Sequence, residues 1–511
     1  MQLESILRDA AYIQLKHRFV RCLFVATLAA GGLACSLAQQ PQATSASAAA
    51  LVKSGRYDAA VSEAKRGLLI HPKDPGLWTI EGIAYAMQGE DEKALTALRT
   101  ASRISPDFVR ALQAEAQILS RQHDPELAVV LKRILRLDPN DSTAREMLAL
   151  EQARRGDCKS ADINFRQLSG QFDTHAESLE RYGACLFTEG DYAKSTAIFQ
   201  QFQILRPASA EARYNLALAQ MRAGQKKEAA ETLKPLLSSP DVDTALLASD
   251  VFEDLDDTPQ AVSFMRRAIV LDPMRPDSYM RFAELCMLHD SYQTGIDMVS
   301  AGIARLPHDS GLYLTRGLLY GAIAQYDKAE ADFRHAEQLD PTHGTGAYGV
   351  GLVQDQSDHP GEALATTRAA LRDHPQDAQL NFLLARILIE GGVAPGSPEF
   401  AEAVRAAETA VRLKPNFLPP HDLLAKIDDM RGETTGVIEQ SREALRIDPS
   451  DQAAMYRLMR AARKTGDTAT AQALLKQVAD QHEHARAEES QRLHYKIVES
   501  VGPEPQPPPQ H

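Results

Sequence analysis

Glycine residues at nucleotide-binding spacing are the first candidates for chemistry in this chain. Gly344, Gly346 and Gly349 form the pattern G-x-G-x-x-G, which in dinucleotide-binding proteins brings a loop close to a pyrophosphate. That chemistry also requires a β-strand before the loop and an acidic residue on the following strand. Here the glycines begin the first helix of a segment that ends at Pro375, so we interpret the pattern as coincidental and predict no cofactor.

Histidine residues near the C-terminus are candidates for metal binding. His482, His484 and His494 are close in sequence, but no cysteine accompanies them and their spacing is not that of a zinc site. We interpret them as surface residues and predict no metal.

Motifs of known catalytic classes are absent from the sequence. It contains no HExxH, no P-loop and no G-x-S-x-G pattern, which would mark a metal, a phosphate-binding loop or a nucleophile. Scattered serines and carboxylates do not identify a catalytic pair. We therefore predict no catalytic residues and a protein that is not an enzyme.

Residues 1–38 have the pattern of a secretory signal peptide. Lys16, Arg18 and Arg21 precede an apolar run from Cys22 to Ala34, which spans 13 residues and is short for a membrane-spanning helix. An N-terminal anchor and a buried helix are the alternatives. The pattern predicts an exported protein of the periplasm or cell envelope.

Two cleavage patterns compete at the end of this leader. Ser36 and Ala38 are the small residues that favour cleavage after Ala38. The segment from Gly32 to Cys35 also resembles a bacterial lipobox, so a lipoprotein signal that ends with lipidation of Cys35 is the alternative. Membrane attachment is expected only through such a lipid or through a complex.

Cysteine usage is sparse. The chain has five cysteines, at positions 22, 35, 158, 185 and 286, and three remain if cleavage follows Ala38. An odd, sparse set is not a disulfide framework. Cys158 and Cys185 fall in adjacent repeats and could approach each other, but we expect buried small apolar residues.

The charge of the chain argues against a nucleic-acid partner. The formal net charge is −13, and such a surface lacks the basic face that counterion release from phosphates requires.

Proline recurs at a nearly constant interval. Most gaps are 33, 34 or 68 residues, between prolines at positions 72, 106, 139, 207, 240, 273, 307, 341, 375, 415 and 449. Because proline cannot continue a helix, each of these prolines closes one repeated unit. A period near 34 residues is typical of stacked supersecondary units.

The other positions fall into register when each proline is set at position 32 of a 34-residue unit. In the unit that begins at Pro75, positions 4, 8, 11, 15, 20, 24, 27 and 32 are Trp78, Gly82, Tyr85, Gly89, Ala94, Leu98, Ala101 and Pro106. Apolar residues at positions 4 to 11 share one face of a first helix, and those at 20 to 27 share one face of a second. Glycine near position 15 ends the first helix, where a left-handed conformation is needed.

This pattern resembles the tetratricopeptide repeat family, which pairs an aromatic, a small residue, a tyrosine, alanines and a proline at these spacings. The resemblance implies an all-α fold, an α-solenoid (right-handed superhelix) of about 13 stacked helix-turn-helix units. We predict the repeat array over residues 39–483, a capping helix over 484–500 and a Pro-rich disordered tail over 501–511.

Two departures from the period predict irregular repeats. Asp173 stands where a proline is expected, and the gap from Pro375 to Pro415 is six residues too long. The excess maps to residues 391–398, whose Gly/Pro-rich sequence predicts a protruding loop between two helices.

The resemblance implies a concave groove lined by positions 2, 5, 9 and 12 of the first helices. Apolar and aromatic residues at these positions form the predicted partner-binding groove: Tyr214, Leu218, Met221, Met280, Leu314, Tyr348, Leu352 and Phe382. Such residues suit a peptide or a partner helix. The alternative is that winding of the solenoid buries them against neighbouring helices.

The sequence thus predicts a non-catalytic protein–protein interaction scaffold of the bacterial cell envelope, which binds a partner segment in the groove during assembly of an envelope complex. One alternative is a cytoplasmic regulatory or assembly adaptor whose leader is misread. Another is a glycosyltransferase-related repeat protein or an enzyme's regulatory subunit. The sequence does not determine the oligomeric state.

Overall fold

The computed structural model describes residues 39–168 and 170–489, and these residues form α-helices. They contain 26 α-helices and no β-strand, so the predicted all-α solenoid of about 13 helix pairs is confirmed. Odd-numbered helices below are the first, or A, helices of each repeat, and even-numbered helices are the second, or B, helices.

The described residues divide into two compact bodies, with the boundary between Thr232 and Leu233. In the N-terminal body the helices are α1 (Gln39–Lys53), α2 (Tyr57–Ile70), α3 (Pro75–Gln88), α4 (Asp91–Ile104), α5 (Val109–Gln122), α6 (Leu127–Leu137), α7 (Ser142–Arg154), α8 (Cys158–Gln167), α9 (Ala176–Thr188), α10 (Tyr192–Leu205), α11 (Ala210–Arg222) and α12 (Lys226–Leu233), which ends at the boundary.

The C-terminal body opens with a 3₁₀ turn over Lys234–Leu236. Its α-helices are α13 (Val242–Asp254), α14 (Thr258–Leu271), α15 (Pro276–Leu288), α16 (Tyr292–Arg305), α17 (Ser310–Ala322), α18 (Tyr326–Leu339), α19 (Thr345–Gln356), α20 (Pro360–Asp373), α21 (Ala378–Glu390), α22 (Pro398–Leu413), α23 (Leu418–Arg431), α24 (Thr434–Ile447), α25 (Gln452–Thr465) and α26 (Thr468–Glu489).

The turn from each A helix to its B helix contains a residue with positive φ, and the long α21–α22 loop contains two, Gly392 and Gly396. Glycine holds this position where the sequence predicted it, for example Gly89 with φ of 83° and Gly466 with φ of 82°. In five repeats a residue with a side chain adopts the same conformation, namely His123, Asp256, Asp290, Ala324 and Asp358. The left-handed turn is therefore required by the helix pair, whichever residue occupies it.

Aspartate caps many of the A helices two residues after the proline. The Asp74 carboxylate accepts hydrogen bonds from the backbone N–H groups of Gly76 and Leu77, which have no partner inside the helix. Equivalent caps are made by Asp141, Asp309, Asp377 and Asp451.

A second recurring hydrogen bond joins the A helix to the proline that precedes it. The side chain at position 4 donates to the proline carbonyl six residues earlier, although its chemical type varies widely. The pairs are Trp78 with Pro72 (2.9 Å), Arg145 with Pro139 (2.6 Å), Arg213 with Pro207 (3.1 Å), Tyr279 with Pro273 (3.0 Å), Tyr313 with Pro307 (3.2 Å), Asn381 with Pro375 (3.3 Å) and His421 with Pro415 (3.0 Å). Position 4 is thus a hydrogen-bond donor as well as a packing residue.

The repeat that lacks its proline is built differently. Helix α8 has only 10 residues, and a disulfide joins its first residue, Cys158, to Cys185 of α9, with a Cα–Cα distance of 5.0 Å. The expectation that both cysteines are unpaired is wrong. The cysteine count could not show that the α8–α9 packing brings these two residues within bonding distance.

An aromatic cluster packs at the same connection between α8 and α9. The ring centroids of Phe165 and Tyr182 lie 4.7 Å apart, and Phe172 contacts both rings at 5.2 and 5.8 Å. The Tyr182 hydroxyl also donates to the Asp162 carboxylate at 2.9 Å. The α8–α9 connection is therefore held by a covalent bond and an aromatic cluster instead of a proline.

Two other predicted features, the long loop and the start of the capping helix, fall within the described residues. The long loop lies between α21 and α22, as predicted, over residues 391–397. Helix α26 continues through residues 483 and 484 to Glu489. The predicted signal peptide with Cys35, the remainder of the predicted capping helix and the predicted Pro-rich disordered tail lie outside the described residues.

The G-x-G-x-x-G segment belongs to helix packing. Gly344 precedes α19, and no strand precedes it in the described residues. A Cβ atom at Gly349 would lie 2.5 Å from Cγ of Phe333 in α18, so glycine lets these two helices approach. Helix packing therefore accounts for the glycine at this position, and no bound nucleotide is needed to explain it.

Candidate functional site

The face of the A helices at positions 2, 5, 9 and 12, here called the A-helix face, carries all eight predicted groove residues. Tyr214, Leu218 and Met221 lie on α11 in the N-terminal body. The other five lie in the C-terminal body, on α15, α17, α19 and α21. The two parts of this face are described separately.

In the C-terminal body the position-5 side chains contact the next A helix. The Met280 Sδ atom would lie 3.1 Å from a Cβ atom at Gly311 of α17. Leu314 packs against a cluster formed by Ala329 and Phe333 of α18 and by Val350 and Val353 of α19. Met280 and Leu314 both remain half-buried, so each is fixed by its neighbour and still presents apolar surface.

The same arrangement continues on α19. Tyr348 and Leu352 pack against Leu383 and Ile387 of α21 and are half-buried. Burial raises the pKa of Tyr348, against the opposing effect of Arg386. These two side chains are therefore held rigidly at the edge of the core.

Phe382 belongs to the core rather than to an open groove. Only 8% of it is exposed, and its ring contacts Phe417 at a centroid distance of 5.5 Å. Met221, 9% exposed, is similarly buried. Both alternatives from the sequence therefore occur: some groove positions are buried and others, including Leu318 at 50% exposure, are accessible.

Ion pairs cross between consecutive A helices in the C-terminal body. Arg386 of α21 pairs with Asp355 of α19 at 2.9 Å, and its Nε is buried without a hydrogen bond. Arg281 pairs in the same way with Asp250. Sequence reasoning missed these pairs, although aspartate and arginine separated by 31 residues in both cases were a usable signal.

A carboxylate pair lies further along this face. Burial raises the pKa of Asp422 on α23 to about 6, against the attraction of Arg457, while Asp451 raises it further. Arg457 forms an ion pair with Asp422. The three groups link α23 to α25. Their charges are therefore explained by contacts within the fold and do not indicate a ligand site.

On α7, α9 and α11 of the N-terminal body the A-helix face is acidic, and the predicted groove did not include these acidic residues. Glu146 of α7 accepts hydrogen bonds from Ser178 Oγ at 2.5 Å and pairs with His175 Nδ1 at 2.6 Å. Glu180 of α9 has no hydrogen bond within the described residues. Burial raises the pKa of Glu180 to about 7, and the neighbouring Glu211 contributes to that rise.

In the described part of the chain, no group of three His, Cys, Asp or Glu side chains is placed to hold a metal. The side chains of His482, His484 and His494 are outside the described set. None of the described helices combines the length and apolar character needed to cross a bilayer.

Comparison with known proteins gives matches to one repeat family. Matches to the tetratricopeptide repeat cover residues 46–107, 186–248, 310–343 and 453–484. A TPR repeat-containing protein from Dictyostelium discoideum is 28% identical over 131 residues, and the match covers 24% of this chain and 49% of that protein. The chain thus spans about half the length of this relative.

Solved structures with a similar fold include yeast Tom70, at 17% identity and a TM-score of 0.43, with 86% of this chain and 92% of that chain covered. The APC/C hetero-tetramer Cut9–Hcn1 gives 12% identity and a TM-score of 0.35, with coverages of 83% and 97%.

Proposed function

The chain is a tetratricopeptide repeat protein, and we propose that it is an exported, non-catalytic scaffold of the bacterial cell envelope. In this proposal a peptide or helix of a partner protein binds the A-helix face, during assembly of an envelope complex. The repeats support the general role of a protein–protein interaction scaffold.

The observation that carries the proposal is the row of half-buried apolar side chains on α15, α17 and α19. Met280, Leu314, Tyr348 and Leu352 each keep some exposed surface while packing in clusters with residues of neighbouring helices. Side chains already ordered by the fold lose little conformational entropy when a partner binds. An amphipathic segment that buries its apolar side on such a row is a common mode of peptide recognition.

Export is supported by the disulfide between Cys158 and Cys185 together with the signal-peptide pattern. Disulfides persist in the periplasm and outside the cell, and are rare in the cytosol, where thiols are kept reduced. The cytoplasmic adaptor, the alternative reading, would hold both cysteines as thiols.

Thiol trapping distinguishes these two locations. Cells of the native host are quenched in acid, and free thiols are alkylated before and after reduction. The exported protein should gain two alkyl groups, at Cys158 and Cys185, only after reduction, and should fractionate with the envelope. Full alkylation without reduction, in a cytosolic fraction, contradicts export.

The binding face is tested by one charge placed on it. Leu318 lies on α17 and is 50% exposed, while Val270 lies on the B helix α14 and is 78% exposed. A partner is first purified with the wild-type protein from the native host and identified. Leu318→Glu should then weaken its binding at least about tenfold, since a buried charge is costly, and Val270→Glu should not. Equal effects of the two substitutions, in proteins with wild-type helicity, would exclude this face as the binding site.

A further inference from the structure

On α7, α9 and α11 the A-helix face combines apolar side chains with negative charge that is only partly compensated. On α7, α9 and α11 the positions that define this face hold four glutamates, Glu146, Glu177, Glu180 and Glu211, and no lysine or arginine. We propose that this part of the face binds a protein segment that carries lysine or arginine beside apolar residues. The inference rests on the proposed function and specifies the chemistry of the partner segment.

The cations that are close in sequence to these glutamates do not neutralise all of them. Arg145 and Arg213 occupy position 4 and donate to the carbonyls of Pro139 and Pro207, so their guanidinium groups serve the helix connections. Arg181 of α9 acts on Glu180 and partly offsets the effect of burial and of the neighbouring glutamates. The His175 ring is paired with Glu146.

Three carboxylates therefore remain for a ligand. Glu177 and Glu211 are exposed, and Glu180 between them is half-buried without a hydrogen bond or salt bridge in the described chain. Both neighbours disfavour ionisation of Glu180. An ammonium or guanidinium group placed here would relieve that repulsion and gain a charge-assisted hydrogen bond, whereas an acidic segment would add to it.

Apolar side chains border the carboxylates. Tyr214 and Leu218 follow Glu211 on α11 at positions 5 and 9, and both are half-buried. Leu150 on α7 and Ala184 on α9 occupy position 9 and are partly buried against the core of this body. A segment with basic residues alone would leave this apolar surface unused, so the surface favours alternating basic and apolar residues.

Three short amidated peptides of equal length test the inference on the full chain. One combines leucine with lysine, and the others replace each lysine with glutamine or glutamate. By calorimetry the lysine peptide should bind at least about tenfold more tightly than the glutamine peptide, and the glutamate peptide most weakly. The lysine peptide's advantage should shrink as salt is raised, because exposed charges are screened.

Variants locate the binding. The double substitution Glu180→Gln with Glu211→Gln should remove most of the lysine preference, while Glu228→Gln with Glu231→Gln, which also replaces two carboxylates but at exposed positions of the B helix α12, should preserve it. Tyr214→Ala should weaken all three peptides.

The outcomes separate the two proposals. Equal binding of the three peptides, with sensitivity to Tyr214→Ala, overturns the charge preference and leaves the A-helix face as a binding surface. Lysine-peptide binding that is unaffected by Tyr214→Ala and by the glutamate substitutions contradicts both proposals for this body. No measurable binding of the lysine peptide also overturns the inference.

Discussion

The hydrogen bond from position 4 to the proline carbonyl should contribute measurably to local stability, and Tyr279→Phe isolates it. Tyr279 is fully buried, at 0% exposure, and its hydroxyl donates to the Pro273 carbonyl at 3.0 Å. The substitution keeps the ring and removes one donor. A hydrogen bond of this kind contributes about 1 kcal/mol, and because Pro273 is exposed, water can replace the lost donor at its carbonyl, so no further penalty is added. We expect α14 and α15 to open about 5-fold more often.

Hydrogen exchange followed by mass spectrometry is the appropriate assay, because a repeat array opens locally and need not unfold in one step. Amides in α14 and α15 should lose protection by that factor, while amides in α23 and α24 should be unchanged. The matched control is Tyr292→Phe, which removes an exposed hydroxyl bonded to Asp290 and should change protection less than about twofold. If Tyr279→Phe exchanges like the wild type, the recurring bond has no stabilising role and our account of the position is wrong.

Two further predictions concern a turn and a buried carboxyl. Ala324 has a φ of 55°, so Ala324→Gly should raise local stability by about 1 kcal/mol by hydrogen exchange, whereas Ala331→Gly inside α18 should lower it by about 1 kcal/mol; the same sign for both would contradict the turn argument. The pKa of Glu180 is raised from 4.5 to about 7 in the folded chain, so folding favours its protonated form. That contribution is fully present below about pH 4.5 and is lost as pH rises through about 7, by up to about 3 kcal/mol. Protection of α9 should therefore fall between pH 5 and about 8 in the wild type and fall less in Glu180→Gln, after correction for the intrinsic exchange rate; equal pH dependence in both proteins would refute it.

The repeat architecture could be predicted because its signals are local. Proline at position 32 and glycine at position 15 impose the same backbone constraint in every repeat, so they appear at a fixed period in the sequence. The donors at position 4 were less visible, because Trp78, Arg145 and His421 share an N–H donor and no other property. Their common role depends on the proline carbonyl that the fold places beside them.

The candidate site could be predicted only in part because burial depends on neighbouring repeats. Phe382 and Leu318 both occupy positions of the predicted groove face, yet Phe382 is 8% exposed and Leu318 is 50% exposed. Phe382 lies in a buried cluster to which the next repeat contributes Leu423 and Leu424 and against which Phe417 packs, and the periodic pattern does not encode this packing. The acidic character of α9 was present in the sequence, but the raised pKa of Glu180 follows first from its burial and then from the nearby Glu211 of α11, and both depend on the fold.

The missing proline at Asp173 connects the fold to the proposed location. Elsewhere a proline carbonyl and a donor six residues later fix the start of many A helices, but here the sixth residue is Leu179, which has no side-chain donor. The disulfide from Cys158 to Cys185 and the stacking of Phe165 on Tyr182 replace that bond at the junction of α8 and α9. Helix α9 also carries Glu180. The position of this carboxylate therefore depends on the disulfide, and disulfides are stable only in an oxidising compartment. A cytosolic protein would keep only the aromatic part of this junction, which is a physical reason to favour export.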